Sequence, residues 1–186
     1  VPHSDGAGEI EAVGHGVDAS RIGERVWLWN AQWGRAFGSC AEYVALPAEQ
    51  AVTLPAATSF AAGACAGSPM TTACHCVFAD GDVTGKTVLV TGAAGAVGRY
   101  AVQMAKLGGA RVLATISGAE KAQVAKEAGA DVVINYREED VASRVLAETN
   151  GAGVDRIVEV EFGGTLAVTN AIIAPNGVIA TYASMA

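Results

Sequence analysis

The spacing of apolar residues divides the chain into two regions. In the first, polar and apolar positions alternate over three short segments that predict strands at residues 9–13, 25–29 and 41–46. Alternation with a period of two is typical of a strand with one buried face, and glycine and proline residues separate the segments. The pattern therefore predicts a small antiparallel barrel or sandwich over residues 1–57.

From Thr58 onward, apolar runs alternate with segments of helical periodicity. Two alanine-rich helices come first, at residues 59–66 and 70–79, and Pro69 separates them because the residue before a proline disfavours the helical conformation. Five strands are predicted next, at residues 87–90, 111–116, 131–134, 154–158 and 177–181. Four helices lie between them, at residues 97–107, 119–127, 138–148 and 165–173. This alternation indicates an α/β fold with a doubly wound parallel sheet over residues 58–186, one strand short of the usual six.

Composition narrows the class of protein. Hydrophobic residues make up 51% of the 186 residues and charged residues 17%, which excludes a disordered chain. The net charge of −7 argues against a nucleic-acid or anionic-membrane surface, since both need basic patches. Four cysteines are too few for a disulfide scaffold and favour a reducing compartment, so we expect a cytoplasmic protein. The first residue is Val1, which indicates a processed chain or a piece of a longer one.

A glycine-rich turn between the first parallel strand and the next helix is the strongest chemical signal. Gly92, Gly95 and Gly98 recur at a spacing of three, although Ala93 stands where the usual G-x-G-x-x-G motif has its first glycine. Such a turn lets backbone N–H groups approach a pyrophosphate, and the helix N-terminus adds a partial positive charge. Between a strand and a helix, the motif predicts dinucleotide binding. The alternative is a glycine turn that binds no ligand.

The end of the second parallel strand indicates which dinucleotide is bound. NAD sites place a carboxylate there for the ribose hydroxyls. Here the strand ends without one, and the first acid, Glu120, already lies in the following helix. Ser117 and Lys121 offer a hydroxyl and an ammonium group to a 2′-phosphate, with a helix cap and a solvated surface charge as the alternative. The missing acid favours NADPH.

Several segments, taken in order, carry a family resemblance. They are residues 1–14, 23–26, 40–44 and 67–73, the glycine loop, and residues 134–140. The chain resembles the medium-chain dehydrogenase/reductase superfamily, and specifically its zinc-free quinone oxidoreductase branch, the zeta-crystallin-like enzymes. The resemblance implies a partial GroES-like β domain at residues 1–57 and a Rossmann domain at residues 58–186, truncated after its fifth strand. It also implies reduction of quinones or α,β-unsaturated carbonyls by NADPH, and a homodimer for the full-length protein.

The resemblance also assigns roles to individual residues. Thr72 falls near the nicotinamide, and Ser117, Lys121 and Tyr136 fall around the 2′-phosphate, although a tyrosine that simply packs after a strand is the alternative for Tyr136. Tyr182 is a weaker nicotinamide-side candidate, because it lies at the carboxyl edge of the sheet. The full set of expected cofactor-binding residues is Thr72, Gly92, Ala94, Gly95, Ala96, Val97, Gly98, Ser117, Lys121, Tyr136 and Tyr182.

Metal and acid–base groups are not supported by the residues. Where zinc-dependent relatives carry histidine and glutamate, this chain has Ser4 and Asp5. Cys74 and Cys76 flank His75, but residues two apart on a helix do not face the same side. We therefore predict no metal site and assign no catalytic residue, since the cofactor carries the reactive hydride.

Three other functions stay open at this point. The first is a zinc-free enoyl reductase, which differs only in its acceptor. The second is a zinc alcohol dehydrogenase, which Ser4 and Asp5 disfavour. The third is a non-catalytic protein that binds NADPH or a partner without turning over a substrate. Glu159 and Glu161 follow the fourth parallel strand and are candidate site carboxylates. The simpler interpretation is that one of them faces water beyond the sheet edge.

Overall fold

The computed structural model describes residues 2–184, and the chain forms two compact units that divide between Thr71 and Thr72. The first unit contains a three-stranded antiparallel sheet in the order β1-β2-β3, built from β1 Gly6–Glu9, β2 Arg25–Leu28 and β3 Ala51–Thr53. Helix α1, Phe60–Ala64, follows these strands and contacts both β1 and β2. The domain boundary after residue 57 stays a prediction.

Two of the three strands predicted in the first unit are wrong. The first lies earlier than residues 9–13, at Gly6–Glu9, and residues 41–46 form no strand. Alternating polarity shows only that one face of a segment can be buried. A strand also needs a neighbouring strand with which to form hydrogen bonds. Strand β1 has β2 as this neighbour, with Ala7 opposite Trp27. A Cβ at Gly6 would lie only 3.2 Å from the Cβ of Ser39, so the absence of a side chain at Gly6 lets Ser39 pack close to the β1 backbone.

The second unit is a five-stranded parallel sheet flanked by helices, which confirms the predicted α/β fold. Its elements, together with the helix that crosses the boundary between the units, are α2 Gly67–Phe78, β4 Thr87–Val90, α3 Ala96–Leu107, β5 Arg111–Ile116, α4 Ala119–Glu127, β6 Val132–Asn135, α5 Val141–Glu148, β7 Val154–Glu159, α6 Phe162–Ile172 and β8 Ile173–Thr181. The strand order is β6-β5-β4-β7-β8. Within residues 2–184, no helix combines the length and apolar character needed to cross a bilayer.

Apolar clusters cover both faces of the parallel sheet. Successive side chains of a strand point to opposite faces, so Val88 and Val90 join one cluster while Leu89 joins the other. The first cluster includes fully buried Ala101 and Ala105 of α3, whose small side chains let the helix lie close to the strands. Burial on both faces explains why these strands read as continuous apolar runs.

Asp131 joins helix α3 to the sheet by charged hydrogen bonds. Its carboxylate accepts hydrogen bonds from Nζ of Lys106 at 2.8 Å and from the backbone N–H of Val112 at 2.7 Å. Burial by itself raises the pKa of Asp131, but the hydrogen bonds from Lys106 and Val112 and the charges of Lys106 and Arg111 outweigh it. The pKa therefore lies below its ordinary value of 3.8.

We expect Asp131→Asn to lower the free energy of unfolding by about 0.5 kcal/mol at neutral pH, a small effect because solvent screens the partly exposed pair. A depressed carboxyl pKa stabilises the fold above the unfolded pKa, and the stabilisation is lost as pH falls through the folded pKa. Urea unfolding should therefore show a gap between the variant and the wild type at neutral pH that closes in strong acid. A gap of equal size at both pH values would contradict this, and exposed Glu138→Gln serves as the control.

Candidate functional site

The glycine loop follows β4 and leads directly into α3. Gly92 has a positive φ of 60°, a conformation that favours glycine, and a Cβ there would lie 3.0 Å from Cγ1 of Val160. At Gly98, a Cβ would overlap the carbonyl oxygen of Gly92 and lie 2.8 Å from the Cα of Ala93. The start of α3 therefore packs directly on the loop backbone, and only glycine fits at residue 98.

The first turn of α3 presents backbone N–H groups that no side chain caps. Gly95 is the N-cap residue, and its own N–H donates to the carbonyl of Gly92 at 2.9 Å. The first N–H groups of a helix have no partner inside it, so those of Ala96, Val97 and Gly98 are available to an anion. Gly95 and Ala96 are exposed, so this helix end is open to solvent. The loop has the geometry that accepts a pyrophosphate.

The loop lies where the order of the strands reverses. The chain runs from β4 through β5 to β6 on one side, and then returns to β7 on the other side of β4. In open α/β sheets, ligands bind outside the carboxyl ends of the strands at this switch point. Ala94, the middle residue of the loop, is half-buried there. The predicted pyrophosphate residues are thus brought together at the expected edge of the sheet.

Three predicted 2′-phosphate residues lie at the adjoining ends of β5 and β6. Lys121 Nζ donates a hydrogen bond to Oγ of Ser117 at 2.9 Å. Ile116 pairs with Asn135, which places Ser117 and Tyr136 directly after neighbouring strand ends. The Tyr136 side chain is 52% exposed. The structure therefore gathers a hydroxyl, an ammonium and a phenol at one open edge, while their role in holding a phosphate stays a prediction.

The two residues expected near the nicotinamide are Tyr182, which follows β8, and Thr72, which lies in α2. Tyr182 follows β8, donates its backbone N–H to the carbonyl of Glu159 at 3.2 Å and packs against the core of the second unit. Burial, with smaller contributions from Cys76 and Glu159, raises the pKa of Tyr182 to about 12. Its phenol is thus protonated at neutral pH. Thr72 is half-buried in α2, and its role stays a prediction.

The two acidic residues at the end of the fourth parallel strand, β7, have different surroundings. Glu159 is fully buried, whereas Glu161 is partly exposed, so only Glu161 can be the side chain expected to face water. Glu161 caps helix α6, since its carboxylate accepts the N–H of Gly164 at 3.2 Å. Glu159 Oε1 accepts the hydroxyl of Thr91 at 2.7 Å, whereas its Oε2 has no partner among residues 2–184. The sequence carried no signal for this contact, because it joins residues from separate strands.

The residues considered as metal ligands do not lie together around a common centre. Cys76 is buried, whereas Cys74 and His75 are exposed. Asp5 Oδ1 accepts hydrogen bonds from both the N–H and the hydroxyl of Ser68 at 2.8 Å. Across residues 2–184, no group of three or more histidine, cysteine or acidic side chains is arranged to hold a metal ion.

Comparisons with known families and sequences give consistent matches. The model of the alcohol dehydrogenase GroES-like domain matches residues 1–56, and that of the zinc-binding dehydrogenases matches residues 96–186. Quinone oxidoreductase of Rattus norvegicus is 34% identical over 160 residues, covering 86% of this chain and 47% of the relative. The Pseudomonas aeruginosa quinone oxidoreductase is 33% identical over 180 residues, covering 96% and 54%. The chain spans about half the length of these curated relatives.

Solved structures share the fold across almost the whole chain. Escherichia coli quinone oxidoreductase, complexed with NADPH, superposes with a TM-score of 0.86 at 31% identity, over 97% of this chain and 55% of that one. Quinone oxidoreductase of Pseudomonas syringae gives a TM-score of 0.84 at 33% identity, over 97% and 55%. The enoyl reductase CurK gives 0.85 at 28% identity, over 98% and 53%.

Proposed function

Because the chain belongs to the medium-chain dehydrogenase/reductase superfamily, in its quinone oxidoreductase branch, we propose that it binds NADPH and reduces quinones or α,β-unsaturated carbonyls without zinc. The observation that carries the proposal is the group formed by Ser117, Lys121 and Tyr136. It stands where an NAD site has its carboxylate, and Lys121 supplies a positive charge there. Two similar structures, a mycobacterial protein and the Escherichia coli enzyme, are complexed with NADPH, which supports this choice of cofactor.

The residues of the second unit suit the parts of this cofactor. A Cβ at Gly98 would fill the space in which the loop backbone lies, and the uncapped N–H groups of α3 suit the pyrophosphate. Ser117, Lys121 and Tyr136 would hold the 2′-phosphate, and Thr72 and Tyr182 would lie toward the nicotinamide. When bound, NADPH supplies the hydride that reduces the acceptor. The protein binds and orients the reactants, and water is a sufficient source of the proton.

The choice of cofactor is tested by removing the ammonium group. We expect Lys121→Ala to weaken NADPH binding about tenfold, the value of one charge-assisted hydrogen bond, and to leave NADH binding unchanged. Lys126→Ala is the matched control, because it removes an exposed lysine from the last turn of the same helix. Fluorescence titration with both nucleotides measures the four affinities. Equal losses for NADPH and NADH, or wild-type affinities that are equal for the two, would refute the assignment.

The acceptor is tested by turnover. Oxidation of NADPH, followed by its absorbance, is expected with a 1,4-quinone and with a simple enone. A rate that is high only with an enoyl thioester would support the enoyl reductase alternative. This acceptor is included because the enoyl reductase CurK has a similar fold. Binding of NADPH with no acceptor turned over would support a non-catalytic NADPH-binding protein.

Location and assembly are part of the same proposal. A cytoplasmic location agrees with the low number of cysteines, four in 186 residues. A homodimer of the full-length protein agrees with the position of β8, which ends the described parallel sheet as an edge strand of nine residues. Neither a nucleic acid nor a membrane is proposed as a partner, given the net charge of −7.

A further inference from the structure

Three buried polar side chains lie side by side beneath the glycine loop. Val90 of β4 pairs with Ala114 of β5 and with Val158 of β7. The residue that follows each of these three along the chain is polar and buried. These residues are Thr91, Thr115 and Glu159, with relative exposures of 8%, 4% and 0%. We call them the polar row. Each lies two positions after an apolar residue of one shared cluster, so all three belong to the same face of the sheet.

Hydrogen bonds of the polar row join the ends of β4 and β7. Thr91 Oγ1 donates to Oε1 of Glu159 at 2.7 Å and accepts the backbone N–H of Val160 at 2.9 Å. The same Oε1 also accepts the N–H of Glu161 at 2.7 Å. Val160 is the residue whose side chain limits the space at Gly92, so these bonds set the distance between the loop and the end of β7.

The third member of the polar row holds the loop from the other side. Thr115 Oγ1 accepts the N–H of Gly92 at 3.3 Å, and the carbonyl oxygen of Thr115 accepts the N–H of Ala93 at 3.1 Å. The loop donors that point toward the sheet are thereby satisfied. The N–H groups of the first turn of α3 stay available to a ligand.

Stability alone does not account for a carboxylate at this position. Glu159 is fully buried, and its Oε2 has no hydrogen-bond partner among the described residues. Burying a carboxylate with one oxygen unpaired is costly, and an apolar residue of similar volume is commonly as stable or more so. The burial of Glu159 beneath the glycine loop is therefore better explained by a role in holding that loop in place.

We propose that the polar row is a positioning device for the cofactor, with Glu159 as its anchor. By fixing Thr91 and the backbone of residues 160 and 161, Glu159 keeps the glycine loop in the shape in which the N–H groups of α3 face the pyrophosphate. The proposal rests on the proposed NADPH site. Glu159 acts through Thr91 and the loop, and no contact between Glu159 and the substrate is part of it.

The test compares variants of the polar row with a buried threonine outside it. Thr91→Val and Glu159→Leu should each raise the Kd for NADPH about tenfold, the effect of losing one buried hydrogen bond. Glu159→Gln should stay within about threefold of the wild type, because its amide oxygen can accept the same two hydrogen bonds. Thr169→Val is the control: its hydroxyl is equally buried but donates only to carbonyls of its own helix.

Thermal unfolding measured beside each titration separates positioning from stability. We expect Thr169→Val to lower the Tm without changing the Kd, and the row variants to change the Kd in protein that is still folded. Should Glu159→Leu fail to fold, Thr91→Val decides the question. Wild-type affinity in Thr91→Val, or a loss in Glu159→Gln as large as in Glu159→Leu, would overturn the positioning role alone. A wild-type chain that does not bind NADPH overturns the proposed function and this inference together.

Discussion

Gly98→Ala is expected to lower the free energy of unfolding by about 3 kcal/mol and to abolish most NADPH binding, because the new methyl group meets backbone on two sides. The added Cβ would overlap the carbonyl oxygen of Gly92 and approach the Cα of Ala93 at 2.8 Å. Neither atom belongs to a flexible side chain that can turn away. The helix and the loop must therefore separate, which moves the N–H groups that we assign to the pyrophosphate.

Gly164→Ala is the matched control for this effect. It makes the same substitution in the first turn of α6, where the nearest atom to an added Cβ is Cγ of Glu161 at an ordinary 3.4 Å. Alanine favours helix over glycine by about 1 kcal/mol, so the control should keep or raise stability. Chemical unfolding and NADPH titration of both variants check the prediction. A Gly98→Ala variant as stable as the wild type would show that the loop can shift at little cost.

Arg156→Ala is expected to cost about 3 to 4 kcal/mol of unfolding free energy, since it creates a cavity and leaves a buried carbonyl without its donor. Arg156 is only 1% exposed although β7 is part of an apolar core. Its guanidinium donates to the carbonyl of Cys76 at 2.7 Å and to the carboxylate of Asp80 at 3.3 Å. These bonds attach the end of α2 to the sheet.

Two further variants separate the causes of that loss. Arg156→Met keeps most of the volume but loses the hydrogen bonds to Cys76 and Asp80, so its stability should lie between those of the wild type and Arg156→Ala. Arg99→Ala removes an exposed arginine of α3 and should change stability by less than about 0.5 kcal/mol. Urea unfolding of the three proteins gives the comparison. If Arg156→Ala cost no more than Arg99→Ala, the buried guanidinium would have no structural role.

The parallel region was predictable because each of its strands is buried on two faces. An unbroken apolar run bounded by glycine has few alternative interpretations, and β4, β5 and α4 begin and end at the predicted residues. Strand β8 was predicted too short. It begins at Ile173, and its pairing with β7 is irregular in the segment that contains Asn176, which has a positive φ of 63°.

The candidate site was predictable only in its local parts. The glycine loop is a continuous segment, and its chemistry follows from the absence of side chains. Thr91 and Thr115 look like ordinary β-branched strand residues, and Glu159 looks like a surface acid. Their contact exists only once the register of three strands is known. Two of the three strands predicted in the first unit failed for the same reason, because pairing partners decided where alternation became a strand.

The hydrogen bond from Lys121 to Ser117 has a consequence for how selective a cofactor site at this edge can be. The ammonium group already has a hydrogen-bond acceptor at 2.9 Å, so a nucleotide without a 2′-phosphate does not leave this group without an acceptor. Nor does any carboxylate at the end of β5 repel a phosphate. Such a site raises the affinity for NADPH without lowering the affinity for NADH. In a cell, the nucleotide used would then follow the relative abundance of the two pools as well as their affinities.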